Sequence, residues 1–310
     1  MRQITDTILM IRPVNFRANE QTAVNNYYQK GVKKTAPDEL KRRAQQEFDD
    51  FVIKLEDVGV TVVVIDDTME SDTPDAHFPN NWVSFHDAGT VVKYPMFAEN
   101  RRAERRDDVF DKIEEKGFVI ENVVDYSSAE DEALYLEGTG SIVLDRTHRK
   151  AYCALSPRAH EEVFIEFCED FEYTPIIFTA NQDVHGERLP IYHTNVMMCV
   201  GRHFAVICLD SIDDKKEKKN VTRHLKEDGK EIIAITEKQL VSFAGNMLQV
   251  QGTDTPYLVM STAAYESLTP DQVKRIEQHC PILHSSLEVI EYCGGGSARC
   301  MMAEVFLPKN

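Results

Sequence analysis

Cys300 follows the run Gly294-Gly295-Gly296-Ser297-Ala298-Arg299 and precedes the apolar stretch MMAEVF. Glycines let a backbone approach a ligand closely and adopt positive φ. A sulfur nucleophile acts as its thiolate, which a neighbouring cation favours. Arg299 and His193 are both candidates for that cation. His193 heads the stretch HTNVMMCV, and a histidine remote in sequence can serve a cysteine as general acid and base. Glu137, in YLEGTGS, adds a carboxylate that can bind substrate N–H groups or hold an imidazole protonated. Together these residues suit covalent catalysis at an electrophilic carbon. The glycine run is not read as a phosphate cradle, because no GK[ST] and no following helix accompany it. The ten histidines are scattered without zinc-type spacing, and no dinucleotide fingerprint occurs. No metal and no cofactor are therefore expected.

These residues need elements that bring distant positions together, and the chain repeats in a way that can do so. An amphipathic helical stretch is followed by an apolar run, a polar-headed strand, a turn and a second apolar strand. The first unit has a helix near Asp38 to Val58, then VTVVVID, NNWVSFH and TVVKYPM. The second has DDVFDKIEEKG, FVIENVVDY, EGTGSIVLD and KAYCALS. The third has HEEVFIEFCEDF, TPIIFTA, HTNVMMCVG and HFAVICLD; the fourth has VTRHLKEDG, KEIIAIT, FAGNMLQVQG and YLVMST. The fifth opens on the capping-type Thr269-Pro270-Asp271, continues through QVKRIEQHC and LEVIEY, and ends in SARCMMAEVF. Asn81, Glu137, His193, Asn246 and Cys300 head the polar strands at separations of 56, 56, 53 and 54 residues. A period of about 55 residues marks a repeat architecture. No single unit can bury its sheet face, whereas a closed ring of five buries them all and leaves no open end. The expectation is an α/β chain of five ββαβ-like units, forming one domain over residues 1–310, with the polar heads converging on a central pocket. The segment DDKKEKK is expected to be a solvated loop between units three and four.

Composition narrows the partners. The 310 residues carry 52 acidic and 35 basic side chains, a net charge of −17. That balance opposes non-specific binding to nucleic acid or anionic lipid. It leaves open a pocket for a cationic or zwitterionic small molecule. No apolar run reaches the length of a membrane span, and the first residues lack the pattern of a signal peptide. Seven cysteines without a CxxC pair suggest a reduced, cytoplasmic protein. Pairing of two copies through an exposed face is left open.

YLEGTGS, HTNV and GGGSARCM, in this order, resemble the motifs of the guanidine-modifying, or pentein, superfamily. The resemblance covers nearly the whole chain. RPVNFRANEQTAVNN, FPNNWVSF and IYHTNVMM are most similar to arginine-deiminase-related hydrolases assigned to citrulline use. The resemblance implies a five-fold β/α propeller, with Cys300 as nucleophile, His193 as general acid and base, and Glu137 as the carboxylate that binds substrate and assists His193. The family pattern carries an aspartate in F-x-x-D and another two residues after the histidine, and both grip a guanidinium. This chain has Asn81 and Asn195 there. Carboxylates only accept, so they suit a cation made of N–H donors; asparagine both donates and accepts, which suits a neutral ureido group.

The expected reaction is therefore hydrolysis of citrulline to ornithine, ammonia and carbon dioxide through a covalent cysteine intermediate. A neutral substrate brings no cation, which predicts a resting Cys300–His193 ion pair, with Arg299 assisting. Asn81, Asn195, Asn246 and Arg299 are the expected substrate-binding residues. The alternatives are an arginine-type deiminase or dimethylarginine-type hydrolase, an amidinotransferase with an amine replacing water, and a non-catalytic binding protein of the same fold. A papain-like arrangement is set aside because it places cysteine before histidine. Arg12, Asn19, Asn25 and Arg158 are candidates for the amino and carboxylate groups of a substrate.

Overall fold

A computed structural model describes residues 2–30 and 36–309. Along the chain, β1 (Thr7–Arg12) is followed by the long helix α1 (Pro37–Asp57) and β2 (Thr61–Asp66). Pro37 sits at the start of α1, where its missing N–H is harmless. The helix buries Leu40, Ala44, Phe48, Phe51, Val52 and Leu55, a single stripe at helical spacing. β3 (Val83–Phe85) and β4 (Thr90–Lys93) form a hairpin. The short α2 (Glu99–Arg102) and α3 (Asp108–Glu115) then lead to β5 (Asn122–Asp125), parallel to β4.

The same plan recurs twice more before the last unit. A one-turn helix α4 (Gly138–Ser141) runs into β6 (Ile142–Asp145), then β7 (Lys150–Leu155), α5 (Glu161–Asp170) and β8 (Thr174–Thr179). After a small hairpin, β9 (Asn181–Val184) with β10 (Glu187–Pro190), the turn α6 (Thr194–Met197) runs into β11 (Met198–Val200). Next come β12 (Phe204–Ile207), α7 (Lys215–Glu227), β13 (Glu231–Ala234), α8 (Glu237–Leu240), β14 (Leu248–Gln251) and β15 (Pro256–Ser261). The chain ends with α9 (Thr262–Ser267), α10 (Pro270–Glu277), β16 (Ile282–Ser285) and β17 (Ala303–Glu304).

Among the described residues five three-stranded sheets result, ordered β17-β1-β2, β3-β4-β5, β6-β7-β8, β11-β12-β13 and β14-β15-β16. In each, the central strand is antiparallel to the first and parallel to the third. The parallel pair needs a crossover, and a helix supplies it each time. In the first sheet the outer strand comes from the far end of the chain: Ile8 pairs with Glu304 and Leu9 with Ala303. The fold is thus mixed α/β, with five units of one topology.

Three details differ from the sequence reading. LEVIEY is not a strand; the fifth unit's parallel strand is β16, and Ile290–Gly294 form a wide helical turn that delivers the glycine run. DDKKEKK is not a loop: Asp214 caps α7 by accepting from the N–H groups of Lys216 and Glu217, so the lysines form the helix's first turns. The polar heads sit one turn before their strands rather than on them. Glu137 and His193 are the residues at the N-termini of α4 and α6, and Asn81 closes the turn Pro79–Asn81. Thr269 makes the expected reciprocal cap with Gln272 on α10. Among the described residues no helix is long and apolar enough to cross a membrane.

Candidate active site

Glu137 leaves β-like backbone to enter α4, and its N–H donates to the carbonyl of Arg158 (3.1 Å), as does the Ser141 hydroxyl (2.8 Å). One local network therefore fixes both Glu137 and Arg158. Thr194 ties α6 to the same place by donating to the Ser141 carbonyl and accepting from the N–H of Ala154. His193 is thereby held against Glu137, with Nε2 2.6 Å from Oε2. Glycine is required beneath this pair: a Cβ on Gly140 would lie 2.4 Å from Asn81 Nδ2 and 2.7 Å from His193 Nδ1. Gly295, at φ +67°, is pressed equally closely against Asn26, whose Nδ2 donates to its carbonyl at 3.1 Å.

Cys300, His193 and Asn81 line one narrow cavity with Asp75, Arg101, Arg158, Tyr192, Asn26, Phe78 and the glycines 294–296. Its total empty volume is about 230 Å³. The carboxylate of Glu137 only accepts, so the proton at the 2.6 Å contact belongs to His193 Nε2. Nδ1 is then the imidazole's lone-pair nitrogen, and it has no hydrogen-bond partner among the described residues. Burial lowers the affinity of His193 for a second proton; Glu137 works the other way, Arg158 and Arg101 add to the lowering, and the result is about 4. For Glu137, burial resists ionisation, but Arg158, the His193 bond and Arg101 outweigh it and hold the carboxyl down at about 2. The pair is thus a carboxylate and a neutral imidazole near pH 7.

Two buried arginines frame this pair. Arg101 donates through Nε and one terminal nitrogen to Glu104, both at 2.8 Å, and through its other nitrogen to Asn81 Oδ1 at 2.8 Å. It also lies 3.8 Å from Glu137. Arg158 bonds Asn25 Oδ1 and the Thr22 carbonyl, lies 3.5 Å from Glu137, and stacks 4.9 Å above the Tyr192 ring. Asp75 accepts from Asn19 and Thr22, while its Oδ1 is unpartnered. Burial pushes its carboxyl up against the pull of Arg101.

The sulfur's polar neighbours are amides. Asn246 Nδ2 lies 3.3 Å from Cys300 Sγ, and Asn195 Nδ2 lies 3.7 Å from it. The expected imidazolium partner is absent from these contacts among the described residues, and His193 is neutral because burial and two arginines oppose its charging. Arg299 is also displaced from its expected place. Its guanidinium donates to the Met302 carbonyl and pairs with Glu304, both at 2.7 Å, and lines a separate narrow cavity with Gln3, Thr139 and Gln249. Only its backbone N–H serves the cysteine's surroundings, by donating to Asn246 Oδ1.

Of the secondary candidates, Arg158 faces the cavity, Asn25 accepts from Arg158, and Asn19 donates to Asp75 in the lining. Arg12 instead pairs with Asp49. Sequence reasoning missed Arg101, Asp75, Asn26 and Tyr192. Arg101 stands in ENRRAERR, where its charged neighbours imitate a solvated surface; its spacing of three from Glu104 is the one available signal. Apart from the cavity, the donor atoms of Asp145, His148 and Asp228 gather within 4.8 Å. Lys230 and Lys150 already neutralise those carboxylates at 3.0 and 2.7 Å.

Fold and site together define a class, the guanidine-modifying or pentein superfamily. Residues 12–307 match the family described as N,N dimethylarginine dimethylhydrolase, eukaryotic, and the chain belongs to that family, one of enzymes that hydrolyse carbon–nitrogen bonds other than peptide bonds. No curated protein matches its sequence significantly. Its fold is similar to that of ArgZ, an arginine dihydrolase from the ornithine-ammonia cycle in cyanobacteria (TM-score 0.74, 16% identity). That likeness covers 98% of this chain but 41% of the ArgZ chain, so this chain spans less than half of that protein's length. The N-terminal domain of ArgZ bound to substrate is covered to 99%, with a TM-score of 0.71 and 16% identity. A dimethylarginine dimethylaminohydrolase, solved as an adduct with S-methyl-L-thiocitrulline, matches with a TM-score of 0.64 and 12% identity over 97% of this chain and 99% of its own.

Proposed function

We propose that the chain, as a single catalytic domain, hydrolyses citrulline to ornithine, ammonia and carbon dioxide through a covalent intermediate on Cys300. Family membership supports the coarser part of this reading, a cysteine-dependent hydrolase of guanidino-type carbon–nitrogen bonds. The finer part rests on one observation, the orientation of Asn81. Arg101 has only donors, so the atom it meets at 2.8 Å must be the amide oxygen. Asn81 therefore offers the cavity an N–H. One of its two protons goes to Asn80 Oδ1 at 3.0 Å, and the other remains. An N–H suits the carbonyl oxygen of a ureido group and has nothing to bind on a guanidinium. The two lining guanidinium groups also disfavour a third cation, and they suit the substrate's carboxylate.

In this mechanism His193 Nδ1 takes the Cys300 proton as the sulfur attacks the ureido carbon, and Glu137 stabilises the imidazolium formed. His193 returns that proton to the departing amine, which leaves as ornithine. The carbamoyl thioester left on Cys300 is then attacked by water, whose proton passes to His193. The adduct expels the Cys300 sulfur, which takes the proton back from His193, and the carbamate released decomposes to ammonia and carbon dioxide. The same reading takes the five sheets as blades of a five-fold propeller, supported by the chain-end strand β17 in the first sheet and by three heads, Asn81, His193 and Cys300, lining one cavity, with Glu137 and Asn246 in contact with them. It also places the enzyme in the cytoplasm, without metal or cofactor, acting on a small amino acid.

A guanidino substrate is the second reading. Asp75 Oδ1 is an unused acceptor in the cavity lining, which a guanidinium N–H could engage. Mass spectrometry of products from citrulline and from arginine, with Cys300→Ala as control, separates the two. Ornithine from citrulline, lost in Cys300→Ala, is expected. Turnover of arginine alone would overturn the citrulline assignment and leave the nucleophile standing. Replacing both Asn81→Asp and Asn195→Asp should move preference towards arginine, and an unchanged preference would remove the asparagines from the argument.

A further inference from the structure

The geometry points to Asn246 as a catalytic residue that donates an N–H to the Cys300 sulfur and stabilises its thiolate. The inference rests on Cys300 being the nucleophile and extends it to what activates the sulfur. Asn246 is fully buried and its amide cannot turn. The backbone N–H of Arg299 reaches its Oδ1 at 3.0 Å, which fixes oxygen on that side. Its Nδ2 then has two protons. One goes to the carbonyl of Asn195 at 3.0 Å. The other faces Cys300 Sγ at 3.3 Å, within hydrogen-bonding range for sulfur, with Asn195 Oδ1 beside it at 3.4 Å.

The clamp is built from the nucleophile's own turn, because the N–H that orients Asn246 belongs to the residue before Cys300. Movement of that turn would carry sulfur and donor together. A donor held at sulfur favours the thiolate over the thiol, since the thiolate is the stronger acceptor. A neutral amide does this without placing a further cation beside Arg101 and Arg158. It accounts for an activated cysteine opposite a neutral His193, in a site whose proposed substrate brings no cation at its reacting group.

Asn246→Asp tests this nearly isosterically, because it replaces the donor at sulfur with an acceptor. Asn246→Ala removes the donor and leaves space. The readout is the rate of Cys300 alkylation by iodoacetamide, followed by peptide mass spectrometry at pH 7 and at pH 10, with Cys300→Ala as blank. A hydrogen bond to a charged group is worth roughly a tenfold to hundredfold change in the thiolate population. At pH 7 the rate should fall about tenfold in Asn246→Ala and about a hundredfold in Asn246→Asp. At pH 10, above the range in which ordinary cysteine thiols ionise, both deficits should shrink severalfold. Equal rates at pH 7 would overturn the inference, as would a loss of the same size at both pH values, which marks altered packing. Failure of the parent's Cys300 to react at all would instead overturn the nucleophile assignment. No substrate is involved, so the outcome is independent of the citrulline reading.

Discussion

Lys230 and Asp145 form an ion pair at 3.0 Å with both side chains fully buried, and neither residue lines the candidate catalytic cavity. The ammonium has three protons. They go to the carbonyls of Gly201 (2.9 Å) and Arg202 (3.0 Å) and to Asp145. Asp145 in turn accepts from the N–H and imidazole of His148. The cluster around Glu137 contains the same kinds of group, equally buried, but is not saturated. Asp75 Oδ1 and His193 Nδ1 have no partners, and one proton of Asn81 has none. The difference teaches how to read buried charge. The Lys230 ammonium uses its whole hydrogen-bonding capacity, which avoids the free-energy cost of an unmet buried group. The cluster around Glu137 leaves specific atoms unmet, and the proposed function assigns those atoms to the substrate.

The comparison breaks most visibly at Lys230. Lys230→Met leaves Asp145 buried without its cation and should cost about 3–5 kcal/mol of stability by urea denaturation. Turnover per folded molecule should stay within about twofold. Lost turnover at unchanged stability would mean that this pair is not structural. Glu137→Gln should do the reverse. Removing the carboxylate deprives His193 of the partner that holds its proton at Nε2, and kcat should fall about a hundredfold or more. Stability should fall less than in Lys230→Met. Arg101 keeps Glu104, and Arg158 keeps Asn25 and the Thr22 carbonyl. If Glu137→Gln unfolds the protein and leaves kcat per folded molecule intact, the two clusters are alike after all.

The same contrast explains what the sequence could disclose. The heads Asn81, Glu137, His193, Asn246 and Cys300 were legible because a repeat of near-constant length writes spatial equivalence into spacing. The helices α1, α5 and α10 were legible from apolar stripes and from the Thr269 cap. LEVIEY was not, because a short apolar run suits a strand or a buried helical turn equally. Arg101 was hidden for an electrostatic reason: a buried guanidinium and a solvated one look the same in a charged segment until Glu104, Asn81 and Glu137 surround it. Arg299 misled in the opposite way. Adjacency to Cys300 suggested contact, yet its side chain turns to Glu304 and only its backbone reaches the site.

The smallest expected effect, and the finest separation of the clusters, lies in acid. His193 titrates at about 4, below the ordinary imidazole value of 6.5. Above about pH 6.5 it is neutral in both folded and unfolded chains and contributes no pH dependence. Between 6.5 and 4 the unfolded chain takes up the proton and the folded one does not, so stability falls as pH falls through this window. His77, lowered to about 3 by burial and then by Arg101, adds to the same slope and extends it downward. Turnover should follow the folded value. His193 keeps its lone pair at Nδ1 until about pH 4, so kcat/KM should persist well below pH 6 for as long as the protein stays folded. A pH–rate profile of the parent and of Lys230→Met, each at a temperature where it is folded, checks this. The acid limb should lie near 4 in both, because the structural pair does not touch His193. A limb near 6.5 would show an imidazole perturbed neither by burial nor by the arginines. A limb that shifts in Lys230→Met would show that the two clusters of buried charge communicate.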